Sequence, residues 1–233
     1  PYAPAGHEAA FGQGVLRPGF RRKAAMAPAR YVEGDVNYGF SMGAGDALVH
    51  RQLGKLYSLR KGGLEYLLGP ASACFWRAPT DNDLGFLSPL SWGAWKLADL
   101  YQYPVSMEAD GENASVTVAY AAPMGRAFTV TYRFYQENAL DLTLTLPPQE
   151  GSLPCAGFTF QLPPAFSRLR WYGNGMAEAG ADRRNARRIG VYESTVADQY
   201  VPYLHPQDCG DKTDVRYFEV RNPAGDGLRF SGD

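Results

Sequence analysis

Hydrophobic and polar positions alternate strictly in three stretches of the chain. Residues 114–120, 128–135 and 139–146 each place an apolar side chain at every second position and a polar or small one between. Side chains of a β-strand point alternately to its two faces. Such a pattern therefore predicts strands with one buried face and one face in water.

Turn-forming residues separate these stretches. Asp-Gly-Glu-Asn at 110–113 and Gln-Glu-Asn at 136–138 are typical of hairpin turns. Strand signals begin near Asn37, and further short strands are predicted at 158–162, 169–172, 215–220 and 228–230. No stretch has the pattern of a long amphipathic helix. Antiparallel strands wet on one face need a second sheet over the other, so we expect an all-β fold, a large antiparallel β-sandwich with at least ten strands.

Residues 1–30 differ from the rest because small, basic and proline residues dominate them. We interpret them as a strand remnant around 9–13 followed by a linker, with the sandwich domain at 31–233. A basic patch for a polyanion is the alternative interpretation. The chain does not begin with methionine, which suggests a fragment or a processed chain and leaves a native leader open.

Composition excludes several function classes. The chain has 26 glycines, 17 prolines and 13% aromatic residues, which is typical of short strands joined by many turns. A net charge of −1 argues against a nucleic-acid partner. No apolar run reaches the roughly 20 residues of a membrane span, so no membrane partner is expected.

Cysteine and histidine usage predicts neither a disulfide framework nor a metal site. The three cysteines lie far apart in the sequence and are odd in number, which resembles reduced thiols of a cytoplasmic protein. The histidines are isolated and lack metal-ligand spacing, so no metal and no cofactor is expected in this chain. These residues are Cys74, Cys155, Cys209, His7, His50 and His205.

Two segments are dense in unusual residues. Residues 74–85 read Cys-Phe-Trp-Arg-Ala-Pro-Thr-Asp-Asn-Asp-Leu-Gly. Asp and Asn side chains tie turns to nearby backbone N–H groups, and Gly85 gives backbone freedom. The segment is either a stiff structural turn or a loop presented to a ligand, with Trp76 or Trp92 as a sugar-stacking platform. Residues 170–216 are irregular, polar and aromatic, and either carry function or fasten loops to the sheets.

These two segments carry a family resemblance. Residues 75–85 resemble the signature that opens the C-terminal domain of family two β-galactosidases, and residues 171–216 resemble its second signature at the matching spacing. Residues 5–8 look like the last strand of the preceding immunoglobulin-like domain. The resemblance implies a supersandwich of the galactose-mutarotase-like type that continues beyond Asp233. We therefore expect the strands ending at Phe218 and Phe230 to lack partners.

The resemblance also implies a function for the parent protein. Such enzymes hydrolyse terminal β-D-galactosides with retention, and both catalytic glutamates and the magnesium ligands lie on a barrel that precedes this domain. This chain would then hold no catalytic residue and no metal, and its partners would be that barrel and carbohydrate. A homo-oligomer is left open.

Site candidates follow from the same resemblance. Family members place a mobile loop over the active site, which corresponds here to residues 85–94. The substrate-loop candidates are Asp81, Asn82, Asp83, Gly85 and Trp92. Candidates for sugar contact or structural support are Trp76, Arg77, Trp171, Glu178, Arg183, Tyr203 and His205. The sequence departs from the second signature at Met176, Gly180 and Cys209, which leaves another β-glycoside open as the substrate.

Two other functions fit the sequence less well. A self-standing carbohydrate-binding module would use Trp76, Trp92 or Trp95 as platforms. An independent sugar epimerase would need a positioned acid and base, and His205 is the one histidine in a suggestive segment.

Overall fold

The computed structural model of the chain describes residues 4, 6–8, 10–14, 25–148, 151–175, 178, 180 and 188–232. The strands in this part are β1 (Arg30–Glu33), β2 (Asn37–Met42), β3 (Gly45–His50), β4 (Leu56–Lys61), β5 (Leu64–Glu65), β6 (Ser72–Cys74), β7 (Tyr103–Asp110), β8 (Ser115–Ala122), β9 (Arg126–Tyr135), β10 (Ala139–Thr145), β11 (Gly157–Thr159), β12 (Arg168–Asn174), β13 (Ile189–Thr195), β14 (Tyr217–Arg221) and β15 (Gly227–Phe230). The α-helices are α1 (Asp81–Gly85), α2 (Ser88–Ser91) and α3 (Gly93–Leu100).

The strands form four antiparallel sheets. One contains β1 to β5 in sequence order, and a second has the order β10-β9-β8-β7. The short strands β6 and β11 pair with each other, and a fourth sheet has the order β13-β12-β14-β15. The prediction of an all-β fold with at least ten strands is confirmed.

The core lies where the first two sheets face each other. Phe40 of β2 stacks on Phe134 of β9 with ring centroids 4.0 Å apart, and Tyr120 of β8 stacks on Phe128 at 4.8 Å. The alternating apolar residues of β8 and β9 are all nearly inaccessible to solvent. The apolar residues of this period-two pattern therefore form the buried face of the sheet. The prediction of a sandwich is confirmed.

Both predicted hairpin turns are present. Asn138 joins β9 to β10 with φ at 55°, a left-handed conformation that asparagine tolerates. The Asp110 carboxylate accepts hydrogen bonds from the backbone N–H groups of Glu112 and Asn113, each at 3.0 Å. This Asx-type turn fixes the register of β7 against β8.

Described residues before Arg30 contact the sheets. The Ala29 N–H donates to the Phe134 carbonyl at 3.0 Å, and the Gln136 N–H donates to the Ala27 carbonyl at 2.9 Å. Gln13 exchanges two hydrogen bonds with the backbone of Ile189 in β13. The division of the chain at residue 30 stays a prediction, but the segment just before it packs on β9.

Three short helices lie within residues 81–100, although the sequence predicts a turn or loop at 74–85 and a mobile loop at 85–94. Each is short, so a long periodic pattern could not reveal it, and only α3 has a clear buried side, with Trp95 and Ala98. The left-handed residue of the segment is Leu87, with φ at 55°, whereas Gly85 ends α1 and is not among the positive-φ glycines. No helix in the described part is long and apolar enough to cross a membrane.

The expectation of two unpartnered strands is half wrong. β14, which carries Phe218, lies between β12 and β15 and is paired on both sides. Within the described part of the chain, β15 forms the edge of this sheet. Phe230 of β15 stacks on Phe218 at 4.5 Å, so its side chain is packed even though its outer backbone edge is open.

The stacked pair at the sheet interface predicts a large stability effect. Phe134→Ala should lower the free energy of unfolding by about 3–5 kcal/mol, because it removes a fully buried ring and leaves a cavity. Urea denaturation followed by circular dichroism measures the change.

Phe86→Ala is the matched control, because the Phe86 ring is 84% exposed. It should change the unfolding free energy by no more than about 0.5 kcal/mol. Equal effects of the two substitutions would contradict a core organised around Phe134.

Candidate functional site

The first of the two segments, residues 74–85, forms a polar turn after β6. The buried side chain of Phe75 anchors this polar turn to the core. Its ring is fully buried and contacts Trp95 of α3 and Phe128 of β9, with centroids 5.5 and 4.8 Å away. The carboxylate of Asp99 accepts hydrogen bonds from the backbone N–H groups of Phe75 at 2.7 Å and Trp76 at 3.2 Å. The turn therefore leaves the core at a fixed point and in a fixed direction.

Arg77 and Asp83 form a two-pronged ion pair across this turn. Arg77 Nη1 lies 2.6 Å from Asp83 Oδ2, and Nη2 lies 3.2 Å from Oδ1. The hydrogen bond from Arg77 holds the pKa of Asp83 below its ordinary value. Bidentate charge-assisted pairs fix orientation as well as distance, so this pair closes the turn into a rigid loop.

Thr80 and Asp83 together begin α1. Asp83 Oδ2 accepts hydrogen bonds from the Thr80 N–H at 2.8 Å and its hydroxyl at 2.9 Å, while Thr80 Oγ1 accepts from the Asp83 N–H at 3.3 Å. This is a capping box. Asp83 thus serves both the ion pair and the helix start, and it is only partly exposed, whereas Asp81 and Asn82 face solvent.

The tryptophans near the turn are mostly packed. Trp92 is 7% exposed, and its Nε1 donates to Ser152 Oγ at 2.8 Å. Its ring meets Trp76 edge-on at 6.4 Å, and the Arg77 guanidinium lies 5.3 Å from its centroid. Trp95 is also buried. The interpretation of Trp92 or Trp95 as an open stacking platform is therefore wrong, and Trp76 is half-buried with Lys96 over its ring.

The second segment, residues 170–216, contacts the polar turn through His205 and Gln207. Gln207 Oε1 accepts from the backbone N–H of Asp81 at 3.1 Å, and His205 Nδ1 lies 3.7 Å from Asp81 Oδ1. Burial raises the pKa of Asp208, the nearby Asp211 raises it further, and Arg77 opposes both. The two segments that the sequence singled out thus meet at one surface.

The remaining candidates lie elsewhere or pair locally. Tyr203 donates to the Glu178 carboxylate. Trp171 is 1% exposed, and Lys212 Nζ lies 5.1 Å from its ring centroid, so Trp171 mainly supports the sheet. Arg183 lies outside the described residues, as does Met176.

Residues 84–90 form an apolar tip beside the polar turn. The tip consists of Leu84, Phe86, Leu87 and Leu90. Phe86 is 84% exposed and Leu90 80% exposed. Leu204, on the neighbouring loop of the second segment, is 95% exposed. Contiguous exposed apolar side chains are typical of interaction surfaces.

A separate apolar groove of about 570 Å³ opens over β12, β14 and β15. Five aromatic residues form its walls: Phe158, Phe160, Trp171, Phe218 and Phe230. Lys212 is the charged residue among its described lining. The described lining therefore supplies few polar groups of the kind that fix the orientation of a bound ligand.

Two residues that shape the site, Asp99 and Ser152, are not among the candidates from the sequence. Gln207 and Asp208 also shape it, and they lie in the second segment that the sequence singles out. Asp99 and Ser152 lie 23 and 60 positions from the residues they hold, and no local pattern marks such partners. Among the described residues, no group of three or more His, Cys, Asp or Glu side chains is placed to hold a metal ion.

Comparison with known proteins places the chain in a family. The family profile described as "Beta galactosidase small chain" matches residues 43–232. A β-galactosidase of Halalkalibacterium halodurans is 32% identical over 238 aligned positions, which cover 97% of this chain and 24% of that protein. The β-galactosidase BgaC of Bifidobacterium adolescentis is 34% identical over 243 positions, covering 98% and 23%.

A third relative shows the same proportions. A β-galactosidase of Kluyveromyces lactis is 28% identical over 238 positions, which cover 93% of this chain and 23% of that protein. The chain thus spans about a quarter of the length of the curated relatives it matches. Because the family profile covers most of the described strands and both segments of the site, the chain belongs to the β-galactosidase small-chain family.

Proposed function

We propose that this chain is the non-catalytic C-terminal β-sandwich domain of a β-galactosidase that hydrolyses terminal β-D-galactosides. Membership of the small-chain family and the quarter of each relative that it spans support the assignment. Retaining hydrolysis needs two carboxyl groups about 5–5.5 Å apart. We assign these groups, and any magnesium ion, to a barrel portion outside this chain.

The apolar tip carries the proposal. Phe86 and Leu90 stand almost fully in solvent on a segment whose base is held by the Arg77–Asp83 pair and by the buried Trp92. Burial of exposed apolar surface against a partner stabilises the complex by about 25 cal/mol for each Å². We assign that partner to the barrel, over which the tip acts as part of the lid.

The polar rim next to the tip is proposed to face the substrate. Asp81, Asn82 and His205 are exposed there, and the Gln207 side chain fixes the backbone of Asp81. Arg77 donates two hydrogen bonds to the Asp83 carboxylate, and that carboxylate also accepts two from Thr80. In this proposal Arg77 and Asp83 position the rim and do not contact sugar.

A self-standing carbohydrate-binding module fits less well. Such a module presents aromatic faces to the sugar, but Trp92 and Trp95 are buried. Trp76 is half-buried and covered in part by Lys96.

The proposal predicts complementation. The chain alone should not hydrolyse an aryl β-galactoside, whereas mixing it with a separately produced barrel portion of a family β-galactosidase should restore hydrolysis, because the carboxylate pair and the lid are then reunited. A colorimetric rate assay measures this. Turnover by the purified chain alone, abolished by a Glu→Gln change within it, would overturn the assignment.

Hydrogen exchange should report docking of the tip. Backbone amides of residues 86–91 should exchange fast in the isolated chain, because the tip side chains are exposed, and should slow when the barrel portion is added. Mass spectrometry of peptides across this range measures the change. Strong protection in the isolated monomer would mean that the tip needs no partner.

Neutralising Asp83 should loosen the turn. Asp83→Asn should speed amide exchange across residues 81–85 and destabilise the turn by about 1.5–3 kcal/mol at neutral pH, because a charge-assisted hydrogen bond is lost. The Asp83 pKa is depressed below 3.8 by Arg77. Its stabilising contribution is therefore present above pH 3.8 and is lost as the pH falls through the folded-state pKa, so variant and wild type should converge in acid.

Glu33→Gln is the control, because it breaks an ion pair with Arg51 whose side chains are 57% and 37% exposed. Exposed pairs contribute about 0–1 kcal/mol, and exchange across residues 81–85 should not change. A similar loosening in both variants would argue against a special role for Asp83.

A further inference from the structure

Two thiols that are distant in the sequence meet at the base of the site. Cys74 ends β6 opposite Gly157, the first residue of β11, and Cys155 lies two residues before Gly157, just outside that strand. This arrangement at the end of the ladder brings the two Sγ atoms to 3.9 Å, although the residues are 81 positions apart. The sequence separates the three cysteines widely, and the fold brings this pair together.

The surroundings of the pair favour one thiolate beside one thiol. A hydrogen bond from the Cys155 thiol lowers the pKa of Cys74, and the same contact with Cys74 raises the pKa of Cys155. The negative charges facing the pair are Asp99, which opposes ionisation of both sulfurs, and Asp208, which opposes that of Cys155. Both cysteines are half-buried.

We propose that Cys74 and Cys155 are a modification site, an oxidisable pair that a hydroperoxide converts into an intrachain disulfide. The Cys74 thiolate attacks one peroxide oxygen, the O–O bond breaks, and the hydroperoxide leaves as hydroxide or alkoxide. Cys74 is then a sulfenic acid. The Cys155 sulfur attacks the Cys74 sulfur, the S–O bond breaks, and the thiol proton leaves with the departing hydroxide as water. Two thiols are oxidised and one peroxide is reduced.

The geometry needs only a short movement. An S–S bond is about 2.05 Å long, so the sulfurs must approach by about 2 Å from their present contact. The ladder between β6 and β11 holds the two chain segments together next to the pair.

The pair is placed to affect the site. Cys74 directly precedes the buried Phe75 that anchors the turn. Cys155 follows Ser152, whose Oγ accepts the hydrogen bond from Trp92. A disulfide would tie the loop that supports Trp92 to the strand that feeds the turn. The thiol chemistry can be tested in the isolated chain, so it does not depend on the galactosidase assignment.

The experiment is peroxide titration of the chain. With hydrogen peroxide in the presence of a metal chelator, free thiols should fall from three to one per chain. Peptide mapping after alkylation should show a dithiothreitol-reversible bridge between Cys74 and Cys155, with Cys209 alkylated. Three thiols persisting where free cysteine is fully oxidised, or a bridge that includes Cys209, would overturn the proposal.

Two variants sharpen the test. Cys155→Ser should stop at the Cys74 sulfenic acid, which dimedone traps as a stable adduct, and Cys209→Ser, the matched control, should still form the bridge. A bridge in Cys155→Ser or none in Cys209→Ser would contradict the pairing. A thermal unfolding transition like that of the wild type shows that each variant is folded.

A pH profile separates a reactive pair from two merely adjacent sulfurs. In Cys155→Ala, the midpoint pH for alkylation of Cys74 by iodoacetamide should rise, because the hydrogen bond to its thiolate is gone. An unchanged midpoint would overturn the assignment of Cys74 as the attacking sulfur.

Discussion

The burial of Phe75 is the constraint on which the rest of the site depends. The ring is sealed between α3 and β9, and the backbone N–H groups of Phe75 and Trp76 would be left without partners at this depth if Asp99 did not accept from both. Because β6 must end in this position, Arg77 emerges where it can meet Asp83. The sandwich therefore fixes the position of the polar turn through the buried ring of Phe75 and the carboxylate of Asp99.

The strands were predictable because apolar and polar residues alternate within each one according to which face is buried. The alternation in β8, β9 and β10 needs no knowledge of a partner, and neither do the turns at Asp110 and Asn138. The helices α1 to α3 were not predicted because each is too short to show a period. What builds them is a local capping box and the packing of Trp95, and only the second of these depends on distant parts of the chain.

The sequence singles out both segments of the candidate site, but neither their contact nor the roles of their residues. Residues 74–85 and 170–216 do converge, through Gln207 and Asp81. The sequence could not tell an open tryptophan from a packed one, since the partner of Trp92 is Ser152 in a distant loop. Nor could it place Cys155 beside Cys74, because that contact follows from the register of β11 against β6. Contacts between distant positions are the part that single-sequence patterns omit.

The candidate site thus consists of an anchored polar turn and an exposed apolar tip, and the central claim is that the tip is buried against a partner. The most direct test is calorimetry of the chain binding to the barrel portion over a range of temperatures. Burial of Phe86 and Leu90 predicts a negative heat-capacity change, and a double variant, Phe86→Ser with Leu90→Ser, should reduce its magnitude and weaken binding by at least about tenfold, or 1.4 kcal/mol. Identical affinity and heat-capacity change for the wild type and the double variant would contradict the account.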